Sequence, residues 1–253
     1  MNEQVILPNI RKLFIPDPGY LMFDCDLVGA DAQVVAWEAN DLDLMAAFRA
    51  GLDVHSKNAE DMWGRGFTQL AGDADHGPKR KKRQECKKAV HATNYGAVAR
   101  TVAVSLGWTI HEADLFQRRW FQIHPPIKSW HSQVQSSLNA NKTVSNKFGY
   151  RRIYFDRPDA VFPEALAWIP QSTVALVSFF GALQLEKVYS WVEMLLQNHD
   201  SIVFQAPETH SGNKKEILEA LKVPIPYPDP LVIPWGMSCS KVSWGDVEKV
   251  SLS

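Results

Sequence analysis

Hydrophobic and polar positions follow two rhythms along this chain. Tyr20 to Leu27 starts as a continuous apolar run and closes on alternating carboxylates, which predicts a buried strand delivering acids at its C-terminal end. From Ala32 onward the spacing turns helical. Ala32–Trp37, Leu42–Arg49 and His55–Trp63 read as helices, and residues 66–78, with Gly, Asp, His and Pro, read as a loop. A basic helix is expected over about residues 79–105, then one over Glu112–Gln122 that Pro125 and Pro126 break, then one over Ile127–Leu138. Thr143–Phe155 alternates as a hairpin with Phe148-Gly149-Tyr150 near its turn. A long helix is expected over Pro163–Trp191, interrupted near Pro170. Val192–Phe204 runs apolar, polar, apolar, which predicts a tight hairpin presenting Asn198-His199-Asp200. Lys214–Lys222 reads as a short helix, and the proline-rich tail toward Trp235 and Trp244 as an edge strand. The order of elements predicts an α+β fold, an antiparallel sheet interrupted by a helical insertion.

Within the basic helix, Arg83, Lys87, His91 and Tyr95 recur every four residues and form one slowly winding stripe, with Gly96 directly after. Cations strung along a helix suit a triphosphate, and a ring at the far end suits the face of a base. A solvated basic face with one buried tyrosine has the same residues.

Charge sharpens that picture because it is local. The net charge is −1, so no global field draws nucleic acid, yet seven of the ten residues from Lys79 to Lys88 are Lys or Arg. Lys147, Arg151, Arg152 and Arg157 form a second basic group. Both are compatible with a phosphate-backbone track. Composition adds bounds: 253 residues, 45% hydrophobic, suit one large domain or two small ones with a real core. Cys25, Cys86 and Cys239 have neither zinc nor disulfide spacing, which points to a reducing, intracellular setting. The N-terminus lacks a signal-peptide pattern, no apolar run approaches the roughly 18–20 residues of a membrane span, and no membrane partner is expected.

Asp26 and Asp200 each border an apolar strand-like run, where a carboxylate is costly unless paired, hydrogen-bonded or metal-bound. Two carboxylates from different strands suit a pair of Mg²⁺ ions roughly 3.5–4 Å apart, the arrangement of two-metal phosphoryl transfer. Two unrelated acids, one at a strand end and one in a turn, are the alternative.

Three ordered motifs give the chain a resemblance. Asp26-Leu27-Val28-Gly29-Ala30-Asp31-Ala32-Gln33, Lys87 through Gly96, and His199-Asp200 together resemble the three motifs of the family A DNA polymerases, the bacterial polymerase I type, and most of all their phage and viral branch. Ile10-Arg11-Lys12 before Asp17-Pro18-Gly19, His55 with Met62-Trp63-Gly64, Gly149-Tyr150-Arg151-Arg152, and Pro170-Gln171-Ser172-Thr173 support it, so the likeness runs from about Leu7 to Trp244.

The resemblance implies a template-directed DNA polymerase with a right-hand fold: residues 1–39 palm, 40–142 fingers, 143–253 palm, and no thumb. It implies two Mg²⁺ ions held by Asp26 and Asp200 with the Leu27 carbonyl as a further ligand. Lys87 and His91 would meet the triphosphate, and Arg83 is added from helical spacing. Tyr95 would stack near the incoming base and sugar, and Asp31 would stand where the family's glutamate blocks a 2′-hydroxyl. His199, Gln171 and Arg151 would touch primer or template. The implied partners are primer-template DNA, dNTP and, if the chain is half of a split enzyme, a second chain supplying thumb and exonuclease. The implied setting is the cytoplasm of a bacterial or phage-infected cell.

Departures from the family pattern carry their own expectations. His91 replaces a lysine, so a fixed charge becomes titratable. Asp31 is one methylene shorter than glutamate, which weakens ribonucleotide exclusion. Gln33 replaces an arginine, Ala99 a tyrosine and Ser201 an acid. Tyr95, in place of phenylalanine, is associated in the family with accepting dideoxynucleotides. Without a thumb, weak DNA retention and low processivity are expected. Two rivals stand beside this reading. A single-subunit RNA polymerase shares the His-Asp-Ser of residues 199–201 but has glycine where this chain has Asp31. A non-catalytic nucleic-acid-binding subunit has no need of the paired aspartates.

Overall fold

The computed structural model describes residues 8–70 and 77–250. The helices are α1 (Pro8–Arg11), α2 (Ala30–Ala39), α3 (Leu42–Arg49), α4 (Val54–Trp63), α5 (Arg65–Thr68), α6 (Pro78–Asn94), α7 (Ala99–Leu106), α8 (Ile110–Ile123), α9 (Pro125–Asn141), α10 (Pro158–Val188) and α11 (Lys214–Ala220). The strands are β1 (Tyr20–Leu27), β2 (Thr143–Ser145), β3 (Arg151–Ile153), β4 (Glu193–Asn198), β5 (Ser201–Pro207), β6 (Pro224–Ile225), β7 (Leu231–Val232), β8 (Trp235–Ser240) and β9 (Glu248–Lys249). The fold is α+β, with the helices α2 to α9 inserted between β1 and its sheet partners. The chain divides into two compact units, Met1–Ala30 with Gln171–Ser253, and Asp31–Pro170; the second boundary falls inside α10.

The first unit is built on an antiparallel sheet of order β4-β5-β1-β8-β9. Phe23 faces Phe204 across β1 and β5, and the two fully buried rings stack at 5.1 Å. Ser201 to Ala206 of β5 are buried without alternation, because β5 lies inside the sheet and is covered on both faces. The tail strand expected at an edge is an interior one: β8 pairs with β1 on one side, and the two-residue β9 closes its other side.

The second unit is helical, with the β2–β3 hairpin at its end. Its core holds the fully buried Phe67, Trp120, Ile127 and Leu138. A buried hydrogen bond crosses it: His124 Nδ1 lies 2.9 Å from Asp41 Oδ2, while Asp41 Oδ1 accepts from Leu44 N and so caps α3. Hydrogen bonding to His124 and to backbone N–H groups outweighs the desolvation of Asp41 and holds its carboxyl below the usual range.

Several boundaries differ from the sequence expectation. The basic helix ends at Asn94, because Gly96 takes φ 74° and a new helix starts at Ala99. Pro125 and Pro126 end α8 but also open α9, occupying first-turn positions where the missing N–H costs nothing. The long helix starts at Pro158, ends at Val188 and continues through Pro163 and Pro170 without interruption. Arg65–Thr68 is a helical turn inside the expected loop, whose residues 71–76 lie outside the described ones. The expectation of no span-length apolar run also needs correcting: α10 is long and apolar enough to cross a membrane by length and composition. In this fold it serves as a core helix, with Ala165, Leu166, Val174, Val177 and Leu185 fully buried along it.

Candidate active site

Backbone pairing alone sets the carboxylates of the first unit. In β1, side chains two residues apart share a face, so Asp24 and Asp26 point the same way. Asp26 stands opposite Ser201 of β5 and Gly236 of β8. The β4–β5 turn is only His199-Asp200, and the Leu27 N–H donates to the Asp200 carbonyl at 2.9 Å. This bond ties the turn to the end of β1 and sets Asp200 beside Asp26. His199 takes φ 54°, a left-handed conformation that costs a non-glycine residue about 1–2 kcal/mol. Ser201 Oγ and Gln197 Nε2 brace the turn through the Asn198 and His199 carbonyls, at 3.1 Å each.

The electrostatics of this corner are repulsive. Burial, then the charge of Asp200, raises the pKa of Asp26, which Lys249 partly offsets. Asp24 is raised chiefly by burial, against the pull of Trp244 and Arg11. The Trp244 indole donates to Asp24 Oδ2 at 2.7 Å, and the Arg11 guanidinium lies 4.5 Å over the Trp244 ring. Gly236 leaves room at Asp26, since a Cβ there would sit 3.0 Å from Asp26 Oδ1.

Hard oxygen donors and crowded negative charge form a donor set that fits a hard divalent cation. A second group of metal-competent side chains lies elsewhere among the described residues: Asp41, Asp43 and His124, with ligand atoms within 4.8 Å of one another. Those groups serve the fold, because Asp41 holds His124 and caps α3 while Asp43 accepts from Lys57 Nζ at 2.6 Å.

The second unit carries the cationic stripe on α6. The C-terminal end of that helix is pinned: Asn94 Oδ1 accepts from the buried Trp120 indole at 2.8 Å, and Gln117 Nε2 donates to the Ala97 carbonyl at 2.7 Å. Gly96 passes so close to α10 that a Cβ would lie 2.9 Å from Leu166 Cδ1. On this frame Lys87 and His91 are exposed, and the His91 ring lies 4.3 Å from that of Tyr95. Arg83 is engaged differently: its Nε and one terminal nitrogen each reach an oxygen of Asp53 at 2.7 Å.

Asp31, at the start of α2, is near enough to Tyr95 to raise its phenol, after burial, well above the usual range. Both Tyr95 Oη and Asp31 Oδ1 are buried, and among the described residues neither meets a partner in full hydrogen-bond geometry, although the two groups approach each other closely enough to contribute to that shift. His55, named above in a supporting motif, has a further place here. Burial and the charges of Lys87 and Arg83 lower its imidazole to about 4, which joins it to the stripe. The clue available was its place just after Asp53, the N-cap of α4. Arg151 on β3 and Gln171 on α10 are exposed.

The sequence profile of DNA polymerase family A matches residues 3–225. The chain belongs to DNA polymerase family A. It is similar to the thermostable DNA polymerase I of Thermus filiformis, 28% identical over 245 residues, covering 90% of this chain and 28% of that protein. The DNA polymerase of Mycobacterium phage D29 is 25% identical over 240 residues, 94% of this chain and 37% of its own length. Among solved structures, the POL domain of Pol1 from M. smegmatis, in complex with DNA primer-template and dNTP, shares the fold with a TM-score of 0.83 at 20% identity. That match covers 96% of this chain and 44% of the other. The chain thus spans 28% of the first relative's length and well under half of the phage protein's.

Proposed function

We propose that this chain carries the nucleotidyl-transfer chemistry of a template-directed DNA polymerase, joining a dNTP to a primer 3′-hydroxyl. The observation that carries the reading is the sheet register: Asp26 opposite Ser201, with the Leu27–Asp200 hydrogen bond, makes neighbours of two acids 174 positions apart in the chain (200 − 26). Family membership supports it.

In this reading residues 1–39 and 143–253 are palm and residues 40–142 fingers. Asp26, Asp200 and the Leu27 carbonyl would hold two Mg²⁺ ions. Such ions, when bound, lower the pKa of an attacking hydroxyl and neutralise charge on a leaving pyrophosphate. Lys87 and His91 bind the triphosphate and fix its orientation, which lowers the entropic part of the barrier. Tyr95 offers its ring to the base and sugar, and Asp31 beside it faces the sugar edge. Arg83 acts at one remove, because its guanidinium is spent on Asp53. Primer or template meets His199, Gln171 and Arg151.

The test is Mg²⁺-dependent primer extension by the purified chain, with Asp200→Ala as control. Extension that the variant loses is the expected result. Extension that survives Asp200→Ala refutes the assignment of the site.

A further inference from the structure

The N-terminal half of α6 carries more than the stripe uses. Lys79, Arg80, Lys81 and Lys82 follow its first residue, and its first turn holds no acid. A helix N-terminus is the positive end of the macrodipole, so four cations there work against helix stability. Beside them, between α4, α6 and α8, lies a cavity of about 260 Å³ with aromatic walls. Trp63, Trp108 and Phe116 form a corner, the two indoles edge to face at 6.4 Å and 82° and Phe116 within 5.8 Å of both. Both indoles are half-buried, so each leaves ring surface in the opening.

Two cations and two acids stand at the rim, and the acids are engaged within the protein. Lys82 Nζ sits 4.1 Å from the Trp63 ring centre and 5.8 Å from that of Trp108, with Glu85 Oε2 at 3.0 Å. Arg119 is exposed and reaches the Asp61 carbonyl with one terminal nitrogen. The second acid, Glu112, is turned back onto its own helix start, accepting from Thr109 N at 2.7 Å and Thr109 Oγ1 at 2.8 Å.

We propose that this cavity takes an unpaired nucleotide of single-stranded DNA, its base against the Trp108 and Trp63 rings and its phosphate on Lys82 and Arg119. The charge argues for this occupant: Lys82 and Arg119 line the cavity, and Lys79, Arg80 and Lys81 stand at the same end of α6. An acidic peptide would satisfy the cations and leave the rings unused. A single strand brings a flat π-face and a phosphate at every residue, the combination that aromatic and basic side chains hold together. In a duplex the bases are stacked on each other and the rings find no face. The proposal is independent of the catalytic assignment, since none of these side chains is given a role in the reaction.

The experiment measures binding of a fluorescently labelled oligothymidylate to the whole chain by anisotropy, without Mg²⁺ or dNTP. Trp108→Leu is expected to weaken binding about fivefold or more, the lower range for loss of one stacked base, with no change in salt dependence. Trp108→Phe, which keeps a ring, is expected to retain most of the affinity. Lys82→Gln should lower the slope of log affinity against log salt by about 0.7, one single-strand phosphate contact. Blunt duplex binding should be indifferent to Trp108→Leu. For a readout that needs no variant, an oligonucleotide carrying 5-iododeoxyuridine is irradiated on the unaltered chain, and the expected crosslinks are to Trp108 or Trp63. Crosslinks confined to other residues overturn the proposal. So does a Trp108→Leu chain that binds the single strand normally while Lys82→Gln weakens single strand, duplex and heparin alike, which is the behaviour of a general polyanion patch.

Discussion

The carboxylate corner of the first unit and the cationic stripe of the second are positioned by opposite means. Asp26 and Asp200 stand on short side chains, and their backbones are fixed by ladder bonds and by the Leu27–Asp200 contact. Lys87 and His91 stand on an exposed helix face, with the rigidity supplied one turn later by Asn94, Trp120 and Gln117. The first arrangement resists movement but concentrates repulsion. The second tolerates movement and leaves its charges in solvent, where each contributes less. Sites that hold small hard ions need the first kind of support, and sites that hold a long flexible polyanion work with the second.

If that contrast holds, damage to the corner is far more costly than damage to the stripe. Asp26→Ala is expected to reduce primer extension by roughly 10²–10³-fold or more, the scale of losing one preorganised electrostatic group, while circular dichroism shows an unchanged fold. Gly236→Ala touches no charge but places a methyl 3.0 Å from Asp26 Oδ1. The Asp26 carboxylate must give by a few tenths of an ångström; since a displacement near 1 Å costs about 10²-fold, turnover should fall by roughly threefold to tenfold, with little change in KM for dNTP. An unaltered rate in Gly236→Ala would show that the corner yields more easily than its ladder bonds indicate.

Loss of a charge from the stripe costs less than loss of one from the corner, and unequally along its length. Lys87→Ala should raise KM for dNTP by roughly 10- to 100-fold, the value of one charge-assisted hydrogen bond of roughly 1.5–3 kcal/mol. Arg83→Ala should change it no more than about threefold, because Asp53 already occupies that guanidinium and exposed pairs contribute little. Steady-state kinetics of the two variants separates them, and equal effects would mean that Arg83 leaves Asp53 when nucleotide arrives.

Acid probes the stripe once more. His55 is lowered to about 4 in the folded chain, so the folded state binds its proton less readily than the unfolded state. Its contribution is therefore neutral above the ordinary histidine pKa of about 6.5, and it destabilises increasingly as pH falls from about 6.5 toward about 4. Chemical denaturation at a series of pH values should show this decline, and His55→Gln should flatten it in that window.

Much of this was legible before any coordinates. The apolar run ending in acids announced β1, and the run-tip-run pattern announced the hairpin that carries Asp200, because strand burial writes itself directly into sequence. Helix limits were harder. Nothing local distinguishes the prolines at 125 and 126, which start a helix, from Pro170, which sits inside one; tertiary packing decides. Only the turn at Gly96 ends the basic helix where the charge pattern would have carried it on. The partners at the site were less visible still. Gly236 opposite Asp26, Trp244 on Asp24 and Asp53 on Arg83 are contacts across 210, 220 and 30 positions (236 − 26, 244 − 24, 83 − 53), and a single sequence holds no record of them.

The ladder that joins β1 to β5 also limits how this chain can change by insertion. Side chains on a strand alternate between faces, so one residue added to β1 between Phe23 and Asp26 would turn the acid to the opposite side of the sheet while Phe23 kept its place against Phe204. One residue added within β5 between Ser201 and Phe204 would shift the turn that carries Asp200 in the same way. Substitutions at many positions here can be absorbed by repacking, but a change of length in either stretch cannot, because no side-chain adjustment restores the face. The spacing of three residues from Phe23 to Asp26, and of four from Asp200 to Phe204, is as much a part of the site as the carboxylates themselves.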